Sequence, residues 1–168
     1  MTSTLVIFGA SLMDAGNISH ATDGLVLGEH IAQGFGADLR GMTLFNVASS
    51  RTPKSSAIHN YAHGGAQSGK GPVTTVNGLE RATGLTAQVR AFRRRAGFYR
   101  SQPDVDALVS AGANDVLDFI DEGLIDAALE TRTRRDDRRL VRSAVQSISG
   151  NLIGNIDRLT GVMDEVVV

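Results

Sequence analysis

The chain has 168 residues, 42% hydrophobic and 21% charged, which is enough for one domain with a real core and short for two. Its formal charge of -1 supplies no bulk field toward nucleic acid or an anionic membrane, and the lack of cysteine excludes disulfides and thiolate metal sites. No basic leader with a small-residue cleavage site precedes the first apolar run, and no apolar run approaches the roughly 20 residues of a membrane helix. A cytoplasmic protein or one exported by a C-terminal signal fits equally, and oligomeric state is not legible.

Thr4 to Phe8 is a continuous apolar and β-branched run, predicting a buried strand, and Gly9 to Gly24 reads as a loop rich in Gly, Asn, Asp and Ser. Leu27, Ile31 and Phe35 recur every four residues, predicting a short helix closed by Gly36. Gly41 to Gly78 is irregular, a length that in a compact domain marks a functional loop, with a short second strand over Ile58 to Ala62. Val89, Phe92, Ala96 and Tyr99 stand at helical spacing, and Asp104 to Ser110 is the next strand, ended by Gly112. Val116 to Ile120 and Leu124 to Leu129 read as short helical pieces.

A long helix is expected from Arg134 to Met163, with one apolar stripe through Val141, Val145, Ile148, Leu152, Ile156, Leu159 and Met163. Gly150 and Gly154 within it each cost about 1 kcal/mol against Ala and point to a kink or a close approach to the sheet. Asp164 to Val168 begins another buried strand; three terminal valines read as the middle of a central strand, so the chain is expected to be the amino-terminal part of a longer protein. Alternating strands and helices predict an α/β three-layer sandwich with a mostly parallel sheet, forming a single domain over 1–168 that lacks its last elements.

Three short blocks carry the chemistry. Phe8-Gly9-Ala10-Ser11-Leu12-Met13-Asp14-Ala15-Gly16-Asn17 puts Ser11 on a tight turn at the exit of the first strand, where open α/β sheets place their ligands. Asn60-Tyr61-Ala62-His63-Gly64-Gly65-Ala66 follows the second strand, and Gly112-Ala113-Asn114-Asp115 follows the strand ending at Ser110. Taken singly, each has an ordinary structural role as a helix cap or turn. Together they supply a hydroxyl nucleophile, a glycine N–H and a side-chain amide, the parts needed to attack a carbonyl and hold the resulting oxyanion.

These blocks resemble the SGNH, or GDSL-type, esterase and lipase family. The family pattern F-G-D-S-L-S-D-T-G-N stands here as F-G-A-S-L-M-D-A-G-N, N-[FY]-A-x-G-G-A stands as N-Y-A-H-G-G-A, and G-x-N-D is matched over Gly112 to Asp115. The resemblance implies a flavodoxin-like SGNH-hydrolase fold and hydrolysis of carboxylic esters without metal or organic cofactor. Ser11 would form an acyl-enzyme, and Ser11 N–H, Gly65 N–H and the Asn114 amide would line the oxyanion hole. Asp14, Asn60 and Asp115 would hold loops. Substrates would be small-molecule, lipid or acylated-glycan esters.

Two departures qualify the match. Ala10 stands where the family has Asp, and the Asp-x-x-His block is absent: no histidine follows His63, and none of His20, His30, His59 and His63 has an Asp three residues before it. The catalytic His and its Asp are therefore expected beyond Val168, and the chain alone is expected to be inactive. His63 is read as packing beside the sheet or facing solvent, and His20 has thin support as a lining residue.

The arginines at 90–100 and 132–142 are interrupted or flanked by acids and read as solvated faces, so no nucleic-acid partner is expected. Metal binding has little support, since no carboxylate cluster accompanies the histidines. The alternatives are a non-catalytic binding domain that uses the same loops, or a flavodoxin-like anion binder.

Overall fold

A computed structural model describes residues 4–15, 23–34, 58–76, 79–121, 123 and 134–168. The architecture is α/β. Four parallel strands, β1 (Thr4–Gly9), β2 (Ile58–Asn60), β5 (Val105–Ser110) and β6 (Glu165–Val167), lie in the order β2-β1-β5-β6. Helices cover the sheet on both sides, the arrangement of a flavodoxin-like three-layer fold. They are α1 (Leu27–Gly34), α2 (Leu85–Arg93), α3 (Ala96–Tyr99), α4 (Ala113–Asp121) and α5 (Arg134–Thr160). β3 (Val73–Val76) and β4 (Leu79–Ala82) pair separately as an antiparallel ribbon.

β1 is buried along its whole length because it is central and covered on both faces. Its side chains alternate. Val6 and Phe8 enter a core with Tyr61, Val89, Phe92, Tyr99, Val109 and Leu159. Leu5 and Ile7 enter the opposite core with Met13, Val26, Ala32 and Ile58. Rings organise the first core: Phe8 stacks on Tyr61 at 5.5 Å, and Phe92 meets Phe8 edge-on at 5.6 Å.

α5 is anchored at its carboxyl-terminal half. Asn155, buried, donates to Ser68 O at 3.1 Å and to Thr86 Oγ1 at 3.1 Å, tying α5 to the segment after β2 and to α2. The chain then enters β6 through Asp164, whose N–H donates to Val105 O and whose carboxylate accepts from Val105 N–H, both at 2.8 Å.

Several expectations are refined. The helical spacing over 89–99 resolves into α2 and α3, broken at Arg94 and Arg95. The β3–β4 ribbon runs out of the stretch read as irregular. α5 is one helix, but its apolar stripe is covered only toward its carboxyl end: Leu159 is buried, whereas Val141 and Val145 are exposed. A Cβ at Gly150 would meet nothing within 4 Å, and one at Gly154 only the flexible Arg158 side chain, so neither glycine marks a close approach to the sheet. Glu165–Val167 forms an edge strand of the described sheet rather than the buried central strand expected: Val166 packs against the core, while Val167 and Val168 are exposed. Gly36, Leu124 to Leu129 and His20 lie outside the described residues.

Gly9 is where β1 must end. A Cβ there would overlap the Ser110 carbonyl oxygen, which accepts the Ala10 N–H at 3.2 Å. Gly9→Ala is expected to destabilise the fold by about 1–3 kcal/mol, the usual cost of overpacking, read as a lowered urea midpoint. An unchanged midpoint would refute the tight packing of this exit.

Candidate active site

Because β1, β2 and β5 are parallel, the segments that leave them emerge on one edge of the sheet. Ser11 sits in the turn after β1, partly buried, followed by the exposed Leu12. The turn is closed by Met13 and Asp14 N–H groups, which both donate to Ala10 O at 2.9 and 3.0 Å. Gly65 is exposed in the turn after β2, with φ of +76°, a conformation that glycine adopts without strain. Asn114 stands in the first turn of α4 after Gly112, whose φ is +107°.

Polar side chains lace the three segments together. Asn60 donates to Met13 O at 2.7 Å and accepts the Ala62 N–H at 2.8 Å, joining the Ser11 turn to the strand that leads to Gly65. Asp14, buried, accepts the Gly64 N–H at 2.6 Å. Asn114 donates through Nδ2 to Ala66 O at 2.9 Å, and Asp115 accepts from both Ser68 N–H and Ser68 Oγ at 2.7 Å. Gln67 donates to Asp118, a second link from the same segment to α4. Asp14, Asn60 and Asp115 therefore hold neighbouring segments together.

Neither the Ser11 N–H nor the Gly65 N–H makes a hydrogen bond among the described residues. The Ser11 hydroxyl is likewise unengaged there. The Asn114 amide has a second hydrogen beyond the one given to Ala66. One sheet edge thus carries a hydroxyl beside donors with capacity to spare, an arrangement able to hold an anion or a polarised carbonyl.

The histidines have other environments. His59 is buried in β2, where its Nδ1 shares a hydrogen bond of 2.7 Å with Tyr99 Oη, which in turn bonds Tyr61 Oη at 3.0 Å. Burial holds both phenols above their ordinary range. His63 continues the β2 alignment, its N–H donating to Gly9 O at 3.0 Å, and its ring is buried beside the sheet with Nδ1 unpartnered among the described residues. Burial pushes its imidazole down to about 4, with the Asp14 carboxylate pulling the other way. No group of three or more His, Cys, Asp or Glu side chains capable of holding a metal is gathered among the described residues.

One residue escaped sequence reasoning. Gln88 lies on the buried face of α2 between Leu85, Val89 and Phe92. Its Oε1 accepts the Gly9 N–H at 2.9 Å, and its Nε2 donates to Gly9 O at 2.9 Å and Thr83 O at 2.8 Å. The available signal was an amide in an otherwise apolar stripe, since a polar group at such a position requires partners.

Compared with known proteins, the chain matches no family model and no curated protein.

The buried His63 makes stability pH-dependent. Its imidazole titrates near 6.5 in the unfolded chain and near 4 in the folded one. Between those values the unfolded state binds a proton that the folded state refuses, so stability falls as pH drops through this window and is insensitive to His63 above it. The full loss is about 3 kcal/mol. Urea midpoints near pH 7 and about pH 4.5 should separate in the wild type and converge in His63→Val; equal separation in both would contradict the assignment.

Proposed function

We propose that the chain is the nucleophile-bearing part of a serine hydrolase acting on carboxylic ester bonds, of the GDSL-type esterase and lipase class. The observation that carries this reading is the convergence of Ser11, Gly65 and Asn114 on one edge of a parallel sheet, laced by Asn60, Asp14 and Asp115. The three sequence blocks that bear these residues resemble those of the family, which adds support.

In the proposed reaction the Ser11 hydroxyl gives its proton to a general base as its oxygen attacks the acyl carbon. The oxyanion of the tetrahedral intermediate accepts hydrogen bonds from Ser11 N–H, Gly65 N–H and the Asn114 amide. Its collapse expels the alcohol, which takes the proton from the base. Water, deprotonated by the same base, then releases the acid and restores Ser11. Neither His59 nor His63 suits the role of base. His59 is tied to Tyr99, and His63 is buried with a proton affinity too low for efficient transfer at neutral pH. The base and its carboxylate partner are taken to come from outside the described residues, in the Asp-x-x-His block that the resemblance implies. Lipid, acylated-glycan and other small esters all remain in the substrate class.

The unsuitability of His59 and His63 as a base favours a second reading, in which the loops bind an ester or an anion without cleaving it.

Incubation of the full-length gene product with a fluorophosphonate probe, followed by peptide mass spectrometry, tests both. Hydrolase chemistry predicts a single adduct on the Ser11 peptide, lost in Ser11→Ala, with labelling slowed about 10²–10³-fold in Asn114→Ala. An adduct that survives Ser11→Ala overturns the nucleophile. Saturable ester binding without any adduct supports the second reading.

A further inference from the structure

The geometry points to Gln88 as the positioning residue for the Ser11 turn, an assignment that rests on Ser11 being the nucleophile. Gly9 is the last residue of β1 and lies two residues before Ser11. On the side facing Ser110, β1 continues its ladder through Ala10 N–H. On the side facing β2, His63 N–H reaches Gly9 O at 3.0 Å. The remaining anchor comes from the helix layer: Gln88 meets both the N–H and the C=O of Gly9 with one planar amide.

A carboxamide offers a donor and an acceptor side by side and so pairs with the N–H and C=O of one residue in this two-point fashion. The pairing fixes the orientation of both peptide planes that flank Gly9 as well as their position. That orientation matters because Ala10 O, the next carbonyl, receives the two N–H bonds that close the turn around Ser11. A rotation of the Gly9 peptide would therefore move the nucleophile and its own N–H donor together. Displacements of about 1 Å at such a centre are enough to cost two orders of magnitude in rate.

Gln88 is also bound to Thr83 O at 2.8 Å. Thr83 and Gly84 lead into α2, and the Gly84, Leu85 and Thr86 N–H groups bond to Lys70, Gln67 and Gly69 carbonyls. Those carbonyls belong to the segment that follows Gly65. Gln88 thus references the nucleophile turn and the oxyanion-side segment to the same helix terminus. A leucine or methionine would fill its volume but leave Gly9 N–H and Thr83 O without their partner in a buried setting, Gly9 O keeping only the His63 N–H.

The test compares wild type with Gln88→Met and Gln88→Glu, using amide hydrogen exchange and the rate of fluorophosphonate labelling per folded molecule. In Gln88→Met, exchange at Ala10, Met13 and Asp14 should accelerate at least about tenfold, while the Tyr61 amide, bonded to Ile7 O, keeps its protection. Labelling should slow by about tenfold or more in its maximal rate, with the half-saturating probe concentration little changed.

Gln88→Glu keeps the acceptor for Gly9 N–H but sets a carboxylate against two carbonyls. Its defect relative to wild type should shrink as the pH falls and the protonated acid regains a donor. Uniform acceleration of all amides in both variants, or unchanged exchange at Ala10, Met13 and Asp14, overturns the assignment. If wild-type Ser11 takes no label, the hydrolase reading fails and the nucleophile role of the clamp falls with it. The exchange pattern then reports separately whether Gln88 orders the turn.

Discussion

The structure depends on how β1 ends. Its backbone runs between two parallel neighbours and its side chains fill cores on both faces, so the strand has no freedom to slide or twist. At Gly9 the constraint tightens, since the Ser110 carbonyl leaves no room for a Cβ and the Gln88 amide grips the peptide from the helix side. A turn that begins from such a fixed point inherits its geometry from the core. The partly exposed Ser11 is held by packing at Gly9, two residues before it.

The polar residues around the site do a job that apolar packing cannot. Loops at a sheet edge leave backbone groups without ladder partners, and burying those groups unpaired is costly. Asn60, Asp14, Asn114 and Asp115 each spend a side chain on a backbone group of a neighbouring segment. The bonds converge on residues 62–68, whose own N–H at Gly65 is left unengaged among the described residues. Asn155 on α5 extends the same network to the far side through Ser68 and Thr86. Such networks are cooperative, so loosening one member transmits to the others. In the proposed reaction the consequence is preorganisation: donors fixed before a substrate arrives need not be reordered when charge develops.

The sequence spoke most clearly where local pattern and burial agree. The strands at Thr4, Ile58 and Asp104, the loop positions of Ser11 and Gly65, and a long helix from Arg134 were all legible from apolar runs and their breakers, whereas Asn114, read as a loop residue, stands in the first turn of α4. The β3–β4 ribbon was not legible: Val73, Thr75 and Leu79 to Ala82 are exposed, so no apolar face imposes a period-two pattern there. The exposed Val141 and Val145 show the opposite failure, a periodic stripe extending past the sheet that would cover it. Gln88 was passed over because glutamine is an ordinary helix former, and only its partners reveal that it is there for hydrogen bonding. Of the two settings read for His63, beside the sheet or facing solvent, the structure has the first, yet its proton affinity depends on burial and on Asp14, 49 residues away in sequence, which no local pattern encodes.

The central claim is that Ser11, Gly65 and Asn114 address one reacting centre. The most direct measurement is the amide NMR spectrum of the protein carrying a phosphonate adduct, compared with the free protein. An adduct on Ser11 oxygen should shift the Ser11 and Gly65 backbone N–H signals and one Asn114 side-chain N–H downfield together, as the phosphonyl oxygen accepts their hydrogen bonds. An adduct that leaves the Gly65 and Asn114 signals unmoved, or that forms on another residue, would contradict the account.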